Sequence, residues 1–458
     1  MNRLPPETIS RIARCFLDGD SIDARSIIPL THVCRFWRES IVSTPRNWTL
    51  ISSEWIGLAK LSLKRSGAAP LELSLDISQV KRNSGFSALL VPYVRNIESL
   101  SINFVSSTNE LAQMLRNFPQ STPNLRSLSL FGCPDRGRSA DPSGLLTTTL
   151  THLSLTDTPL YPEFLRLRAL TDLTLRNHRF DLHRNTLLEF LEENRSLERA
   201  TLEIKFTHLH LRASWARPAV IMNRLRYLSM RCSNTMDNKA LLSGIAIRRG
   251  VHLEISCHER DGRLNDVLSG IPAVQLSNLL SSTFMEYQTC SRSIRLLGPN
   301  GNFSFENPLG LDDPFVEFPL LPLIDVRELH LRHRKMKEDS QPLNLLVLRP
   351  SFFPALKTLA VDCETNVSHL FSALFRDPSF PPSLKTLAFL DCNLADSFMV
   401  KLARFASSRS KTDSVRLHRV VIVNSEGKFP SVASIDALGK HVPVINALIG
   451  KKLPTDLI

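Results

Sequence analysis

Three stretches of the sequence repeat one pattern: Leu125-Arg126-Ser127-Leu128-Ser129-Leu130, Leu150-Thr151-His152-Leu153-Ser154-Leu155 and Leu170-Thr171-Asp172-Leu173-Thr174-Leu175. In each stretch an apolar residue is followed by a second one three positions later and by a third one two positions after that. The alternation of apolar and polar side chains at the end of each stretch is typical of a β-strand buried on one face. The stretches therefore predict strands that point their leucines into one continuous core.

The same phrase recurs along most of the chain and is separated by helical patterns. Its first residue falls at Ile97, Leu125, Leu150, Leu170, Leu197, Leu225, Val326, Leu356, Leu384 and Leu417, and weaker copies lie near Leu253–Ile255 and Ile294–Leu296. Neighbouring clear copies are 20 to 33 residues apart, which brackets the roughly 20 to 29 residues of a leucine-rich repeat. Helical patterns occupy 111–118, 187–194, 240–249, 367–376 and 394–405. A strand followed by a helix, repeated, predicts an α/β solenoid with strands on its concave face and helices on its convex face.

The repeat pattern divides the chain into four segments. We expect irregular leucine-rich repeats over 91–424, a linker helix (54–65) and strand (70–75) within 51–90, and a C-terminal cap or tail over 425–458 with a helix at 434–448. Turn signals such as Gly298-Pro299-Asn300-Gly301 and Asn307-Pro308 predict an insertion loop over 298–322. The remaining segment, 1–50, lacks the repeated phrase.

The first 50 residues predict two short amphipathic helices. Leu4-Pro5-Pro6-Glu7 is a helix start, with proline in the first turn followed by an acidic residue. Apolar residues spaced as on one helix face are Ile9, Ile12, Ala13 and Phe16 in the first helix, and Leu30, Val33, Cys34 and Trp37 in the second. Two such helices bury little surface between them, so part of these stripes packs against the next domain or a partner.

At these residues the chain resembles the F-box. The matching motifs are Leu4-Pro5-Pro6-Glu7, Val33-Cys34-Arg35-Phe36-Trp37-Arg38 and Pro45-Arg46-Asn47-Trp48. The resemblance implies docking onto the Skp-type adaptor of a cullin-RING ubiquitin ligase. The positions it assigns to adaptor binding are Leu4, Pro5, Ile9, Ile12, Leu30, Val33, Cys34 and Trp37. The alternative is a helical cap that seals the core of the next domain.

An F-box followed by leucine-rich repeats resembles the substrate receptors of SCF-type ubiquitin ligases. The resemblance implies a non-catalytic protein that holds the adaptor and presents target proteins for ubiquitylation. Two alternatives remain open: an interaction scaffold without a ligase role, and a basic repeat protein that binds nucleic acid. The net charge of +12 favours acidic partners, but no long Lys/Arg run indicates a nucleic-acid arm.

The motifs of catalysis and cofactor binding are missing from the sequence. It has no Gly-x-Ser-x-Gly elbow, phosphate loop, dinucleotide fingerprint or His-Glu-x-x-His helix. The eight cysteines show no metal-ligand spacing, and Cys133, Cys232, Cys257, Cys363 and Cys392 follow repeat strands, where a small side chain fills the turn. We therefore expect no enzyme, no metal and no cofactor. With no apolar run long enough for a membrane span, we expect a cytoplasmic or nuclear protein.

The polar side of the predicted strands is the candidate target surface. Because side chains alternate along a strand, the third, fifth and seventh residues of each phrase face away from the core. The residues assigned to target binding are Arg176, Arg199, Tyr227, Arg231, His330 and Arg332. Arginines with a tyrosine suit an acidic target segment, and Arg176 and Arg231 are expected to be about 10 Å apart. The alternative is a merely solvated sheet face.

Overall fold

The computed structural model describes residues 4–17, 24–82, 85–103, 122–132, 149–160, 164–165, 167–206, 218–232, 235–257, 264–269, 281–288, 293–306, 323–333, 353–363, 371, 374–375, 381–411, 416–424 and 429–449. The chain divides into two compact units. The first comprises Met1–Ser214 and Val220–Leu225, and the second comprises Trp215–Ala219 and Arg226–Ile458. Among the described helices, none has the length and apolar character needed to cross a membrane.

The first unit joins N-terminal helices to a parallel sheet. Its helices are α1 (Pro6–Leu17), α2 (Ile27–Thr31), α3 (Arg35–Val42), α4 (Ile56–Ser66), α5 (Ile77–Arg82), α6 (Phe86–Leu90) and α7 (Arg184–Glu193). Its strands are β1 (Leu50–Ser52), β2 (Leu71–Asp76), β3 (Ile97–Asn103), β4 (Ser127–Phe131), β5 (His152–Thr156), β6 (Asp172–Leu182), β7 (Arg199–Phe206) and β8 (Val220–Ile221). Short 3₁₀ helices cover Ala24–Ser26, Pro45–Trp48 and Val91–Asn96. Each strand from β1 to β7 pairs in parallel with the next one along the chain.

The register of this sheet follows the repeated phrase. Leu128 pairs with Leu153 and Leu153 with Leu173, while Leu130, Leu155 and Leu175 form the next row. All six leucines are buried. The serines and threonine between them are only half-buried, so alternation places them on the opposite face, which we call the polar face. The predicted register is confirmed.

The second unit contains the other repeats. Its helices are α8 (Thr235–Leu242), α9 (Leu264–Leu268), α10 (Asp396–Ser410) and α11 (Val432–Gly439). Its strands are β9 (Tyr227–Cys232), β10 (Ile245–Ala246), β11 (His252–Cys257), β12 (Phe284–Gln288), β13 (Ser293–Gly298), β14 (Gly301–Glu306), β15 (Glu328–His333), β16 (Thr358–Cys363), β17 (Thr386–Leu390), β18 (Arg419–Asn424) and β19 (Val444–Ile449). Every clear copy of the phrase thus leads into a strand, and the first residue of each copy is buried.

An antiparallel meander interrupts the parallel order of the second unit. Strand β12 runs antiparallel to β13, and β13 runs antiparallel to β14. The order across the sheet is therefore β9-β11-β14-β13-β12-β15, because β11 pairs with β14 and β12 with β15. The weak copy near Ile294–Leu296 lies on antiparallel β13 and is not a repeat strand. Residues 301–306 of the predicted 298–322 insertion form strand β14, and 307–322 lie outside the described residues.

Other predicted boundaries also need correction. The sheet includes β1 and β2, so the 51–90 segment is part of the repeat sheet and not only a linker. The helix predicted at 240–249 ends at Leu242 and is followed by β10. The helix predicted at 434–448 ends at Gly439, and β19 then extends the sheet beyond residue 424 by pairing with β18. The predicted helix 111–118 lies outside the described residues.

Cysteines that follow repeat strands serve packing. Cys232 and Cys257 are cross-strand neighbours at the ends of β9 and β11, and both are buried. Cys363 ends β16, and Cys392 follows β17; both are also buried. Burial raises the pKa of the Cys392 thiol far above its ordinary value, so this thiol stays protonated and unreactive. Cys133 lies outside the described residues.

Candidate functional site

The N-terminal helices share one apolar core with the start of the sheet. Its fully buried members are Ile9, Ala13, Ile27, Ile41, Trp48 and Leu50, and Leu30, Phe36, Trp37, Val42 and Leu58 pack against them. The Trp48 indole donates a hydrogen bond of 3.0 Å to the carbonyl oxygen of Ile41. Because Leu50 belongs to β1 and Leu58 to α4, the helical segment is continuous with the repeat sheet of the first unit.

The second amphipathic helix predicted from sequence is two helices. Leu30 lies in α2, and Trp37 lies in α3. Between them Cys34 is in an extended conformation (φ −161°, ψ 173°) and precedes the first residue of α3. The spacing from Leu30 to Trp37 therefore does not form one continuous helical stripe.

The eight residues assigned to adaptor binding differ in accessibility. Leu4, Pro5, Val33 and Cys34 are exposed, whereas Ile12, Leu30 and Trp37 are half-buried. Ile9 is 0% exposed and lies in the shared core. The assignment of Ile9 to an adaptor surface is therefore wrong for this conformation, because its side chain already packs within the protein. Val33 is 58% exposed, compared with 44% for Leu4.

Five large apolar side chains among the described residues from 4 to 55 are exposed to solvent. They are Leu4, Phe16, Ile28, Val33 and Trp55, which we call the N-terminal apolar residues. Ile28 and Trp55, together with Ile56 and Leu58, line a cavity of about 410 Å³. Trp55 is 47% exposed, and the guanidinium carbon of Arg25 lies 4.9 Å from its ring centroid. The sequence motifs did not single out Trp55, since it lies beyond the closing Pro45–Trp48 motif.

On the polar face of the first unit, the arginines assigned to target binding form ion pairs. Arg176 Nε lies 3.6 Å from a carboxylate oxygen of Glu203, and Arg199 Nε lies 3.5 Å from one of Asp172. His152 Nε2 lies 3.3 Å from the other oxygen of Asp172. Because each guanidinium faces a carboxylate on the neighbouring strand, its attraction for an acidic target is partly offset.

The second unit carries the remaining assigned residues. Tyr227 donates a hydrogen bond of 2.6 Å to Glu254, its ring stacks on that of His252 at 5.4 Å, and His252 Nε2 lies 3.2 Å from the same carboxylate. Burial would raise the pKa of Glu254, but the hydrogen bonds from Tyr227 and His252 outweigh it and lower that pKa. Arg231 is exposed at the end of β9. Tyr227 thus belongs to a cross-strand polar cluster that sequence analysis missed.

Strand β15 holds the last two assigned residues. Arg332 Nε lies 2.9 Å from Glu286, a carboxylate that also faces Arg295 at 3.9 Å. His330 is only 7% exposed, and its Nε2 atom has no hydrogen-bond partner. Burial and, to a lesser extent, the charge of Arg332 lower the pKa of His330 from 6.5 to about 4. His330 is therefore neutral at pH 7 and too buried to contact a target, which corrects its assignment.

Metal-binding chemistry has no support in the described ranges. No group of three or more His, Cys, Asp or Glu side chains in them could hold a metal ion. The pair His208 and His210 lies outside those ranges. What the described surfaces offer are apolar side chains at the N-terminal helices and polar side chains on the sheets, which suit the binding of other molecules.

Comparisons with known proteins give only weak likenesses. No protein-family model matches the chain, and no curated protein matches it. Among solved structures, the TLR13–ssRNA13 complex aligns at 15% identity with a TM-score of 0.37, covering 74% of this chain and 44% of the TLR13 chain. A Bacteroides fragilis protein aligns at 9% identity with a TM-score of 0.18, covering 84% of this chain and 76% of its own. Scores this low carry no argument about function; the leucine-rich-repeat-like character rests on the strand register described above.

Proposed function

We propose that the protein is a non-catalytic substrate receptor of a cullin-RING ubiquitin ligase. In this proposal the N-terminal helices bind a Skp-type adaptor, and the repeat sheets bind a target protein for ubiquitylation. Such a receptor would act in the cytoplasm or the nucleus. Catalysis would belong to the ligase partners, so the chain itself needs only two binding surfaces.

The observation that carries the proposal is the exposure of Val33. It lies in the motif that resembles the F-box, and its neighbours in sequence provide no cover for its side chain: Val33 is 58% exposed. Burial of an exposed apolar side chain by a partner makes the free energy of binding more favourable. The other N-terminal apolar residues are also exposed, and two of them, Ile28 and Trp55, line one cavity. A partner could therefore cover further apolar area, and exposed apolar patches mark interaction sites.

The proposal is tested by adaptor binding to purified full-length Val33→Asp. Because Val33 is exposed, the substitution should leave the melting temperature unchanged. A carboxylate forced into an apolar interface costs several kcal/mol, which is enough to abolish a complex of about micromolar affinity. Val91→Asp is the matched control, since Val91 is also 58% exposed and lies in the same unit but outside the F-box-like segment. Equal adaptor binding by wild type and Val33→Asp, or none by wild type, would contradict the proposal.

A scaffold without a ligase role is the second candidate. It is favoured by the shared core in which Leu50 of β1 and Leu58 of α4 pack with residues of α1, α2 and α3. Helices that bury the first strand in this way act as a cap, because they shield the apolar end of the repeat sheet from water. A cap predicts that wild-type protein binds no adaptor and that deleting residues 4–42 destabilises the first unit.

A further inference from the structure

The last strand of the second unit, β19, is paired along only one edge in the described part of the chain. It runs parallel to β18, and the N–H group of Val444 donates a hydrogen bond of 3.2 Å to the carbonyl oxygen of His418. In a parallel sheet the N–H and C=O groups of one residue point to the same side, and those of the next residue point to the other side. Because Val444 points its backbone groups at β18, Ile445 and Ala447 point theirs away from it. We call this side of β19 the free edge.

The backbone groups on the free edge have no protein partner. Within the described residues, the N–H and C=O groups of Ile445 and Ala447 form no hydrogen bond besides any to water. The two residues lie about 7 Å apart along the strand, which is the spacing of matching groups on a neighbouring strand. An edge of this kind is a template for pairing with another chain, and only an extended polypeptide matches it.

Strand β19 lacks the features that usually protect a sheet edge. Proteins discourage pairing at an edge with very short strands, charged side chains, prolines or bulges. From Val444 to Ile449 the sequence has no charge and no proline, and its pairing with β18 is uninterrupted over six residues. By contrast β1, the first strand of the first unit, has three residues, and its Leu50 is buried with the N-terminal helices. The free edge of β19 is therefore suited to pairing.

Apolar side chains beside the free edge are exposed. Val444 is 43% and Leu448 is 37% exposed, both on one face of β19, and Ala447 is exposed on the other face. Leu448 is the cross-strand partner of Val423, which belongs to a buried apolar cluster. A strand added at the edge would extend this apolar surface and remove Val444 and Leu448 from water, which favours an occupant with apolar side chains.

Positive charge stands on both sides of the strand in the sequence. Lys440 precedes β19 and is exposed, Lys451 and Lys452 follow it, and no acidic residue lies between 440 and 452. Asp436 of α11 lies four positions before Lys440 and can offset one of these charges, which leaves a net positive charge beside the strand. An apolar segment with acidic residues at its ends would complement this distribution.

The same charges disfavour a second copy of the chain as the occupant. Two β19 strands paired antiparallel would bring the lysines of both copies together at each end of the pair. Like charges that face each other across strands are destabilising. The occupant that fits both the apolar edge and its charged surroundings is therefore a segment of a different protein.

We propose that the free edge of β19 binds an extended, apolar polypeptide segment of a partner protein, flanked by acidic residues, which adds a strand to the sheet. Main-chain hydrogen bonds to Ile445 and Ala447 would hold the segment, and its side chains would cover Val444 and Leu448. This surface differs from the arginines expected to bind a target, and the proposal does not depend on the ligase role.

The test uses the full chain and a fluorescein-labelled peptide with a core of six valine and threonine residues and two aspartates at each end. Fluorescence anisotropy should give a Kd at least about tenfold lower for this peptide than for the same core flanked by lysines. The aspartate peptide methylated at every core nitrogen lacks main-chain donors, and its binding should weaken at least about tenfold. This comparison separates strand pairing from charge attraction alone.

Variants of the chain test the edge itself. Ala447→Pro removes an outward N–H group and leaves the hydrogen bonds to β18 in place, so binding should weaken at least about tenfold. Val432→Pro is the matched control, because Val432 is exposed at the first position of α11, where proline is tolerated; it should bind as wild type. Val444→Ser/Leu448→Ser removes exposed apolar side chains without changing the backbone and should weaken binding about fivefold.

Thermal denaturation shows whether each variant is folded. If Ala447→Pro is unfolded, the serine double variant and the methylated peptide decide the question. Three results would overturn the proposal: no binding of the aspartate peptide by wild type, equal binding of the aspartate and lysine peptides, and undiminished binding by folded Ala447→Pro. A wild-type chain that is dimeric at about 10 μM, with a monomeric Ala447→Pro variant, would also overturn it, because the edge would then belong to a second copy.

Discussion

The Arg14 guanidinium of α1 forms an ion pair with the Glu72 carboxylate of β2. The same guanidinium donates hydrogen bonds of 2.9 Å to Thr49 Oγ1 and 3.2 Å to the carbonyl oxygen of Arg46. One side chain therefore joins the first helix, the end of the F-box-like segment and the second strand. Within the first unit, the surface proposed to bind an adaptor is connected directly to the surface proposed to bind a target.

Replacing Arg14 by alanine should destabilise the first unit modestly. The side chains of Arg14 and Glu72 are partly exposed, so solvent weakens their attraction. With the two further hydrogen bonds, we expect Arg14→Ala to lower the free energy of unfolding by about 1 kcal/mol. Arg11→Ala is the control on an exposed position of the same helix and should change it by less than about 0.5 kcal/mol. Urea denaturation measures both, and equal effects would show that the Arg14 contacts add nothing.

Side-chain truncation should destabilise the protein strongly on the buried face of the first sheet and only slightly on its polar face. Leu153 is buried on β5, so Leu153→Ala leaves a cavity and should cost about 2 to 5 kcal/mol. The adjacent Ser154 faces the polar side, and Ser154→Ala should stay within about 0.5 kcal/mol. Circular dichroism during denaturation reports both values. If Ser154→Ala were the costly change, the register of β5 would be wrong by one residue.

The turn of the β13–β14 hairpin should tolerate only glycine. Gly301 has φ +129°, and a Cβ atom there would lie 2.6 Å from the carbonyl oxygen of Val251. Gly301→Ala should therefore cost about 1 to 3 kcal/mol or more. Gly57, in α4, has nothing within 4 Å of such an atom, and Gly57→Ala should be neutral or stabilise by up to about 1 kcal/mol. Thermal denaturation of the two variants compares them, and a neutral Gly301→Ala would contradict the hairpin geometry.

His330 should make the protein less stable in mild acid. Its pKa in the folded protein is about 4, below the ordinary value of 6.5, so the unfolded chain binds a proton first as the pH falls. Stability from this residue is complete above pH 6.5 and declines between pH 6.5 and 4. From pH 7 to pH 5 the loss should be about 2 kcal/mol.

The control variant for this pH effect is His330→Phe. It retains a ring against Phe284, whose centroid lies 4.7 Å from that of His330, but it has no titrating group. Chemical denaturation at pH 7 and pH 5 should show a loss smaller by about 2 kcal/mol in the variant. Identical losses in both proteins would mean that His330 is not held neutral in the folded state.

The repeat strands were predictable because their evidence is local. The spacing of Leu150, Leu153 and Leu155 predicts a strand with one buried face. All three residues are buried as expected, Leu150 just before β5 and the other two within it. The polar face followed from the same alternation. The pairing of Arg176 with Glu203 was not recognised, because the sequence shows which residues share a face but not which charges neutralise one another.

The break between α2 and α3 depends on contacts that a helical spacing does not reveal. Thr31 Oγ1 donates a hydrogen bond of 2.7 Å to the carbonyl oxygen of Ile28, and Arg38 Nε donates one of 3.0 Å to the carbonyl oxygen of Thr31. These two side chains hydrogen bond to backbone carbonyl oxygens near the C-terminal end of α2. Such bonds compete with the backbone hydrogen bonds that would extend the helix. Leu30 and Trp37 therefore have the spacing of one helix but lie in two different helices. Ile9 is buried in the core that these helices share with α1.

The meander of β12, β13 and β14 has a consequence for how the chain reaches its native state. In the second unit Leu253 of β11 pairs with Leu228 on one side and with Phe303 on the other. The first partner lies 25 positions earlier and the second 50 positions later, because β12 and β13 are made in between. In a repeat sheet each strand otherwise pairs with the strand of the adjacent repeat, and folding propagates between such neighbours. Here β11 pairs with β14, the last strand of the meander. The sheet can therefore extend beyond β11 only after β14 has been positioned. The slowest step in refolding of the second unit is therefore expected to be closure of this longer loop.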